Sequence, residues 1–340
     1  MGSTSPPAAS PAIPTISIAP FLSPSTSPAE HLSATSQSLS CACRSPGFFY
    51  LTNHNLPPAL TSRVLSLARD FFTTVPQSEK EKIKRRGVGD GHGDGARGYQ
   101  VIGENVTEGK GDWHEGIDWY RPILPGESFD ECIGKGARKP PYDLIQGLNQ
   151  WPSGPSGFRE VYEEYIRLML ALGTAVVRAM GVALKEEGVL GDEETFVKQT
   201  AESFWVLRAI GYPQLPVQEQ EEGKVSCGAH TDYGCVTLLL ADETKGALQV
   251  WLENEGEEGR WLDVDPVPGA LVVNIGDMME RWSGGRWKST RHRVVHRRGG
   301  FRVSVPFFFE PDFAATVPGK DREGEVIYGE YLMGKVRGNF

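Results

Sequence analysis

His230-Thr231-Asp232-Tyr233-Gly234-Cys235-Val236-Thr237-Leu238-Leu239-Leu240 is the stretch whose reading decides the fold. In a β-strand, residues i and i+2 project to the same side, so His230 and Asp232 can reach one metal ion while Thr231 points away. The run from Cys235 to Leu240 is apolar and β-branched, as a buried strand requires. Further out, Ser289 to His296 reads as a second strand carrying two histidines, and Arg302-Val303-Ser304 follows it. Two imidazoles and one carboxylate hold one face of a ferrous ion and leave the other positions open for a cosubstrate and O₂. The constellation therefore predicts an oxygenase. His292 and His296 share one face of their strand, and geometry alone leaves both open as the third ligand.

By itself a His-x-Asp pair is more often a surface hydrogen bond or a cap, and zinc accepts the same donors as iron. Composition narrows the field. The chain has 340 residues, 39% of them hydrophobic, enough to bury a large core in one elaborated domain or two. A net charge of −9 offers no basic footprint for nucleic acid or an anionic membrane, so a small molecule is the expected partner. The cysteines at 41, 43, 132, 227 and 235 are odd in number and irregular in spacing, which argues against a disulfide framework. Cys227 and Cys235 flank the metal pair and read as buried small hydrophobes. Thiols and ferrous iron both suit a reducing compartment. Roughly the first 28 residues are rich in Ser, Pro, Ala and Thr without the basic start and apolar run of a signal peptide, and no stretch of about twenty apolar residues occurs. The expectation is a cytoplasmic monomer with a loose N-terminal extension.

Periodicity supplies the organisation. Leu60, Val64, Leu67, Ala68 and Phe71 recur at helical spacing after Pro57-Pro58, predicting a helix from about Pro58 to Thr74. A longer apolar stripe from Phe158 through Val176 predicts a second helix that stops near Gly181. Gly87 to Gly98 lacks the Lys-Ser/Thr ending of a phosphate loop and reads as a flexible loop. Gln218 to Lys224 reads as a solvated turn. From Trp205 onward, strands are expected at Val206–Ile210, Cys235–Leu240, Leu248–Leu252, Ala270–Ile275, His292–His296 and Val303–Phe309, separated by Gly, Pro and Asp turns. This pattern predicts a mainly β sandwich or barrel rather than a parallel sheet with crossover helices.

Further motifs run along the chain in order: Pro46-Gly47-Phe48-Phe49-Tyr50-Leu51-Thr52-Asn53-His54, Gly98-Tyr99, Trp113-His114-Glu115-Gly116-Ile117-Asp118, Leu207-Arg208-Ala209-Ile210-Gly211-Tyr212-Pro213, Asn274-Ile275-Gly276-Asp277, and Val305-Pro306-Phe307-Phe308-Phe309-Glu310-Pro311. With them the chain resembles, from about Ile13 onward, the isopenicillin N synthase-like branch of the 2-oxoglutarate- and Fe(II)-dependent dioxygenases. The resemblance implies a double-stranded β-helix, a distorted jelly roll with helices outside. Its opening strand matches Ile13-Pro14-Thr15-Ile16-Ser17-Ile18. It also implies a division into a disordered extension over 1–12, an N-terminal region of helices and strands over 13–125, and a double-stranded β-helix core with its long supporting helix over 126–340.

The family's spacing selects His292, with His230 and Asp232, as the Fe(II) ligands. 2-Oxoglutarate needs a fixed cationic fork for its far carboxylate, a task suited to the planar guanidinium of Arg302. Ser304 lies two residues on and on the same face, and the resemblance adds the Tyr212 hydroxyl. The implied reaction consumes O₂ and decarboxylates 2-oxoglutarate to succinate and CO₂. It hydroxylates, desaturates or cyclises a small organic substrate, with ascorbate stimulatory. Two rivals are an Fe(II) oxidase of the same fold that does not use 2-oxoglutarate, as in isopenicillin N synthase or aminocyclopropanecarboxylate oxidase, and a binding module without activity. Ile210 stands where many plant members carry Asn. Aromatic Trp113, Phe204, Trp205, Tyr233 and Phe309, with polar His114, Asp118 and Arg208, lie near motifs that line the family's funnel.

Overall fold

Strands buried on both faces read as continuous apolar runs, and such strands form the centre of this molecule. The computed structural model describes residues 13–86, 96–122, 147–221, 224–253, 258–318 and 324–337. The expected extension over 1–12, most of the Gly87–Gly98 stretch, and Cys132 lie outside the described residues. Eight strands hydrogen bond in the order Thr15–Ser17, Phe48–Thr52, Leu271–Ile275, Val236–Ala241, Arg302–Phe309, Val206–Tyr212, Glu115–Tyr120 and Gly98–Gln100. A smaller sheet has the order Arg260–Asp263, Leu248–Leu252, His292–Val294 and Cys227–His230. Within both sheets all pairs are antiparallel except the first, where Thr15–Ser17 runs parallel to Phe48–Thr52.

Side-chain alternation divides the core in two. Phe48, Tyr50, Ile210, Tyr212 and Val272 of the large sheet meet Leu248, Val250 and Val294 of the small one. Their strand neighbours Phe49, Leu51, Leu207, Ala209, Val273 and Val303 face the helices instead. Two facing sheets with helices packed outside fit the β sandwich or barrel expected from the strand pattern and the double-stranded β-helix implied by the family resemblance. Strands at 15–17, 48–52, 98–100 and 115–120 belong to the same sheet as those after residue 200, so regions 13–125 and 126–340 share one hydrogen-bonded framework.

The Pro58–Thr74 helix has the expected bounds, with Leu60, Val64, Leu67, Ala68 and Phe71 buried. The next long helix differs from expectation. It spans Phe158–Glu186 and passes through Gly181. A Cβ there would lie 2.0 Å from the Glu193 carbonyl oxygen, so this glycine admits a returning chain instead of ending the helix. By length and composition this helix could cross a bilayer, yet 61% of its most apolar window is buried inside the fold, as in a core helix. Residues 217–221 are also helical rather than a turn, with Lys224 paired to Glu219 just beyond.

Candidate active site

The two metal-facing histidines are placed by one antiparallel ladder. His292 and His230 are directly opposed across their strands, with ring centroids 4.4 Å apart. Asp232 is not on a strand as the i, i+2 argument assumed, because that strand ends at His230. A turn carries the carboxylate back, fixed where the Asp277 N–H donates to the Asp232 carbonyl at 2.8 Å. Oδ1 of Asp232 then lies 3.8 Å from His230 Nε2 and 3.7 Å from His292 Nε2.

Every outward-facing atom of this triad is engaged. His230 Nδ1 is bonded to the Gly228 carbonyl at 2.8 Å and His292 Nδ1 to the Thr290 carbonyl at 3.1 Å. Asp232 Oδ2 accepts from the Thr237 hydroxyl and from the Asn274 amide at 2.6 Å. Only Nε2, Nε2 and Oδ1 remain for a common ion, the orientation that supporting hydrogen bonds give to metal ligands. Burial opposes charge on Asp232, but His292, His230 and these two donors hold its carboxyl below the usual range. Burial and the neighbouring His230 keep His292 down at about 4, in the neutral form that ligates metal. His296 is excluded from the group. The strand stops at Val294, and His296 Nε2 is bonded to the Gly300 carbonyl at 2.6 Å.

Arg302, Ser304 and Tyr212 also come together. Arg302 and Tyr212 are cross-strand partners, and the guanidinium lies 4.7 Å from the Tyr212 ring centre. Arg302 Nη1 reaches the Ser304 hydroxyl at 3.5 Å, while its Nε is buried without a partner. A guanidinium 2% exposed with no carboxylate partner among the described residues fits the far carboxylate of a dicarboxylic acid. Ile210 pairs with Ser304 and joins the apolar layer between the sheets.

A cavity of about 330 Å³ ends on His230 and Asp232. His114, Asp118, Arg208 and Tyr233 line it as expected, but Trp113, Phe204, Trp205 and Phe309 do not. Strand parity explains one of these errors. Phe308 shares the face of Arg302 and Ser304 and lines the cavity, while Phe309 packs into the helix-side core. One wall is a relay of hydrogen bonds. Arg208 Nε donates to Asp118 at 2.6 Å, Gln100 donates to the other Asp118 oxygen at 2.7 Å, and Asn105 links Arg208 to His114. Burial and Arg208 hold His114 down at about 3, so it is a neutral member of this relay.

Residues misread or missed in the sequence complete the site. Cys227 is half-buried and lines the cavity, its Sγ 3.9 Å from His230 Nδ1, unlike the core hydrophobe expected. Cys235 is buried as expected. Thr237 and Asn274 brace Asp232, and only the quoted motif around Asn274 could have signalled either. Glu310 and Tyr328 line the inner wall, where the Tyr328 hydroxyl donates to Glu310 at 2.9 Å. Burial pushes the Glu310 carboxyl up to about 8, against the Tyr328 hydrogen bond.

The chain matches two family models, the 2OG-Fe(II) oxygenase superfamily over residues 201–311 and the N-terminal region of non-haem dioxygenases in morphine synthesis over 13–154. It is 41% identical to an Arabidopsis thaliana protein named homoarginine-6-hydroxylase 2-ODD-C23.1, covering 89% of each chain. It is 36% identical to an Emericella nidulans 2-oxoglutarate-Fe(II) type oxidoreductase, over 79% of this chain and 71% of the relative. Among solved structures, a full-length Neurospora crassa protein in complex with alpha-KG superposes with a TM-score of 0.76 at 25% identity, covering 96% of both chains. These findings favour the 2-oxoglutarate-using enzyme over the oxidase and over a binding module without activity. With three iron-type donors converging on one point and a buried guanidinium left without a carboxylate, the chain belongs to the 2-oxoglutarate- and Fe(II)-dependent oxygenase superfamily, as a hydroxylating dioxygenase.

Proposed function

We propose that this dioxygenase hydroxylates a small basic metabolite of the homoarginine kind, with a guanidinium at one end of an aliphatic chain and an amino acid at the other. The observation that carries the reading is the cavity's charge. Its lining holds Glu108, Asp112, Asp118, Asp232 and Glu310 against Arg85 and Arg208. An acidic pocket of about 330 Å³, at the small end of the range for metabolite sites, suits a compact cation. The name of the 41% identical Arabidopsis relative supports the same class.

In this reading His230, Asp232 and His292 hold Fe(II), and Arg302, Ser304 and Tyr212 grip the C5 carboxylate of 2-oxoglutarate. Bound iron with 2-oxoglutarate supplies O₂ activation, one oxygen atom going to the substrate as hydroxyl and the other to succinate as CO₂ leaves. The protein's part is placement. Braced imidazoles and a braced carboxylate present three donors to one point, the Arg302 guanidinium neutralises the buried carboxylate, and burial raises the Tyr212 hydroxyl so that it stays a donor. A cytoplasmic monomer acting on a free metabolite is part of the proposal, and gel filtration of the pure protein tests the monomer.

Incubation with Fe(II), 2-oxoglutarate, ascorbate and homoarginine should add one oxygen atom to the amino acid, with succinate formed in equal amount, both read by mass spectrometry. Lack of product from homoarginine, arginine and lysine, while a neutral metabolite gains oxygen, would refute the basic-substrate reading.

A further inference from the structure

Buried charges in proteins are paired, hydrogen-bonded to saturation or bound to ligand. The cavity's carboxylates can be sorted on that rule. Asp118 has the Arg208 guanidinium and the Gln100 amide. Glu108 is exposed and paired with Arg291. Asp112 has both oxygens occupied, by the Gly228 N–H at 2.9 Å and the Thr107 hydroxyl at 2.8 Å. Glu310, like Asp112, is buried with two donors and no cation, and it is position that separates the two. Glu310 is 5% exposed and has no cationic partner among the described residues, so burial favours its neutral form until a bound cation stabilises the carboxylate. Its donors are the Tyr328 hydroxyl and the Cys235 N–H. A carboxylate has about four acceptor positions, so about two stay open.

Position adds to this. Glu310 lies against the turn that carries the metal-facing carboxylate, since a Cβ on Gly234 would come within 1.1 Å of Glu310 Oε2. Gly234 is two residues from Asp232. On the other side Tyr328 opens the Tyr328–Arg337 helix, fixed to the same turn region by the Tyr331 hydroxyl on Asp277 at 2.6 Å. Tyr233, Phe308 and Tyr328 supply aromatic surface beside the carboxyl, and flat cations stack on such rings.

We infer that Glu310, positioned by Tyr328, is the receptor for the cationic end of the substrate, a planar guanidinium or amidinium held between the Asp232 turn and the C-terminal helix. The inference rests on the basic-substrate reading and sharpens it. Oxidation of the carbon that bears the guanidinium nitrogen, the 6-position of homoarginine, requires the cation to sit next to the metal ligands. Glu310 is the cavity carboxyl that combines that position with open acceptor sites. Its fork matches two parallel N–H groups, so a guanidinium should be preferred to an ammonium of similar reach.

The test compares homoarginine with homocitrulline, its neutral isostere, in wild type and Glu310→Gln. Wild type should prefer homoarginine in kcat/KM. Glu310→Gln should cut that preference by about thirty-fold or more, the usual consequence of removing one partner of a buried charge-assisted pair. A ratio is read because loss of folded protein lowers both rates alike. Tyr328→Phe should lower the ratio several-fold by freeing the carboxyl to rotate. Calorimetric titration of n-butylguanidinium into the anaerobic Mn(II)·2-oxoglutarate form supplies a second readout, with saturable binding in wild type that weakens as strongly in Glu310→Gln. If homoarginine is hydroxylated and the ratio is unchanged by Glu310→Gln, the receptor assignment is overturned while the substrate class stands. Should butylguanidinium bind through Glu310 while homoarginine is not turned over, the receptor stands and homoarginine itself falls as the substrate. If butylguanidinium does not bind wild type, the receptor assignment is overturned.

Discussion

Two buried charge clusters in this fold are built to opposite plans. At the outer edge of the large sheet, Lys80 Nζ lies 3.0 Å from Glu115, donates to the Phe72 carbonyl at 2.7 Å, and packs near the rings of Phe71, Phe72 and Tyr99. Glu115 also accepts from the Tyr99 hydroxyl at 2.6 Å. Both charges are buried and the chain itself completes them. By contrast, among the described residues Arg302 has an orphaned Nε and no carboxylate, and Glu310 has no cation. Charges finished by their own neighbours hold the architecture, and charges left open face places where ligands of opposite sign fit.

The largest effect should come from the metal end. Asp232→Ala removes the anionic ligand of a three-donor site, and Fe(II) binding at micromolar metal and all turnover should be lost. Metal titration followed by intrinsic fluorescence checks this, and retained iron-dependent turnover would refute the triad. Next, Glu115→Ala should break the self-complete cluster and strand Lys80, costing about 3 to 5 kcal/mol of stability in urea unfolding. Its 2-oxoglutarate affinity should not move, since Glu115 is engaged by Lys80 and Tyr99 and makes no contact with Arg302, Ser304 or the metal-facing triad. A stability change under about 1 kcal/mol would show that the cluster is not the closed unit described.

Arg302→Ala should show the reverse pattern. Loss of the fork should cost about 2 to 5 kcal/mol in 2-oxoglutarate binding, roughly thirty-fold to several-thousand-fold in Kd, while metal binding persists. Arg302→Lys should recover part of this, because an ammonium cannot make the bidentate contact. Titration of 2-oxoglutarate into the anaerobic Mn(II) form decides it, and affinity indifferent to residue 302 would mean the buried guanidinium serves the fold. A smaller effect is expected one contact out from the metal. Thr237→Val or Asn274→Ala removes one brace from Asp232 Oδ2 and should weaken metal affinity by about ten- to a hundred-fold, with 2-oxoglutarate affinity restored at saturating metal. His296→Ala should do least, leaving metal affinity within a few-fold. An essential His296 with a dispensable His292 would reverse the assignment of the third ligand.

Local pattern was enough for much of this. Continuous apolar runs in 206–210, 236–240 and 303–309 set strands, and the stripe from Leu60 to Phe71 set a helix, because burial constrains the residues that form each. His230, Asp232, Arg302 and Ser304 were legible from side-chain chemistry, while the family resemblance selected His292 and added Tyr212. Parity along 302–310, applied strictly, would also have chosen Phe308 over Phe309. What the linear chain could not carry were relations between distant segments. Gly181 looks like a helix stop until Glu193 is seen against it, and His296 looks like a ligand until the strand ends two residues before it. Glu310 carries no signal in its motif until Tyr328 of the C-terminal helix is seen bonded to it. Periodicity reports which face of an element is buried, whereas the partner met there depends on how strands far apart in sequence are registered and turned. That left the completed charges, the open ones and the shape of the cavity between them to the tertiary structure.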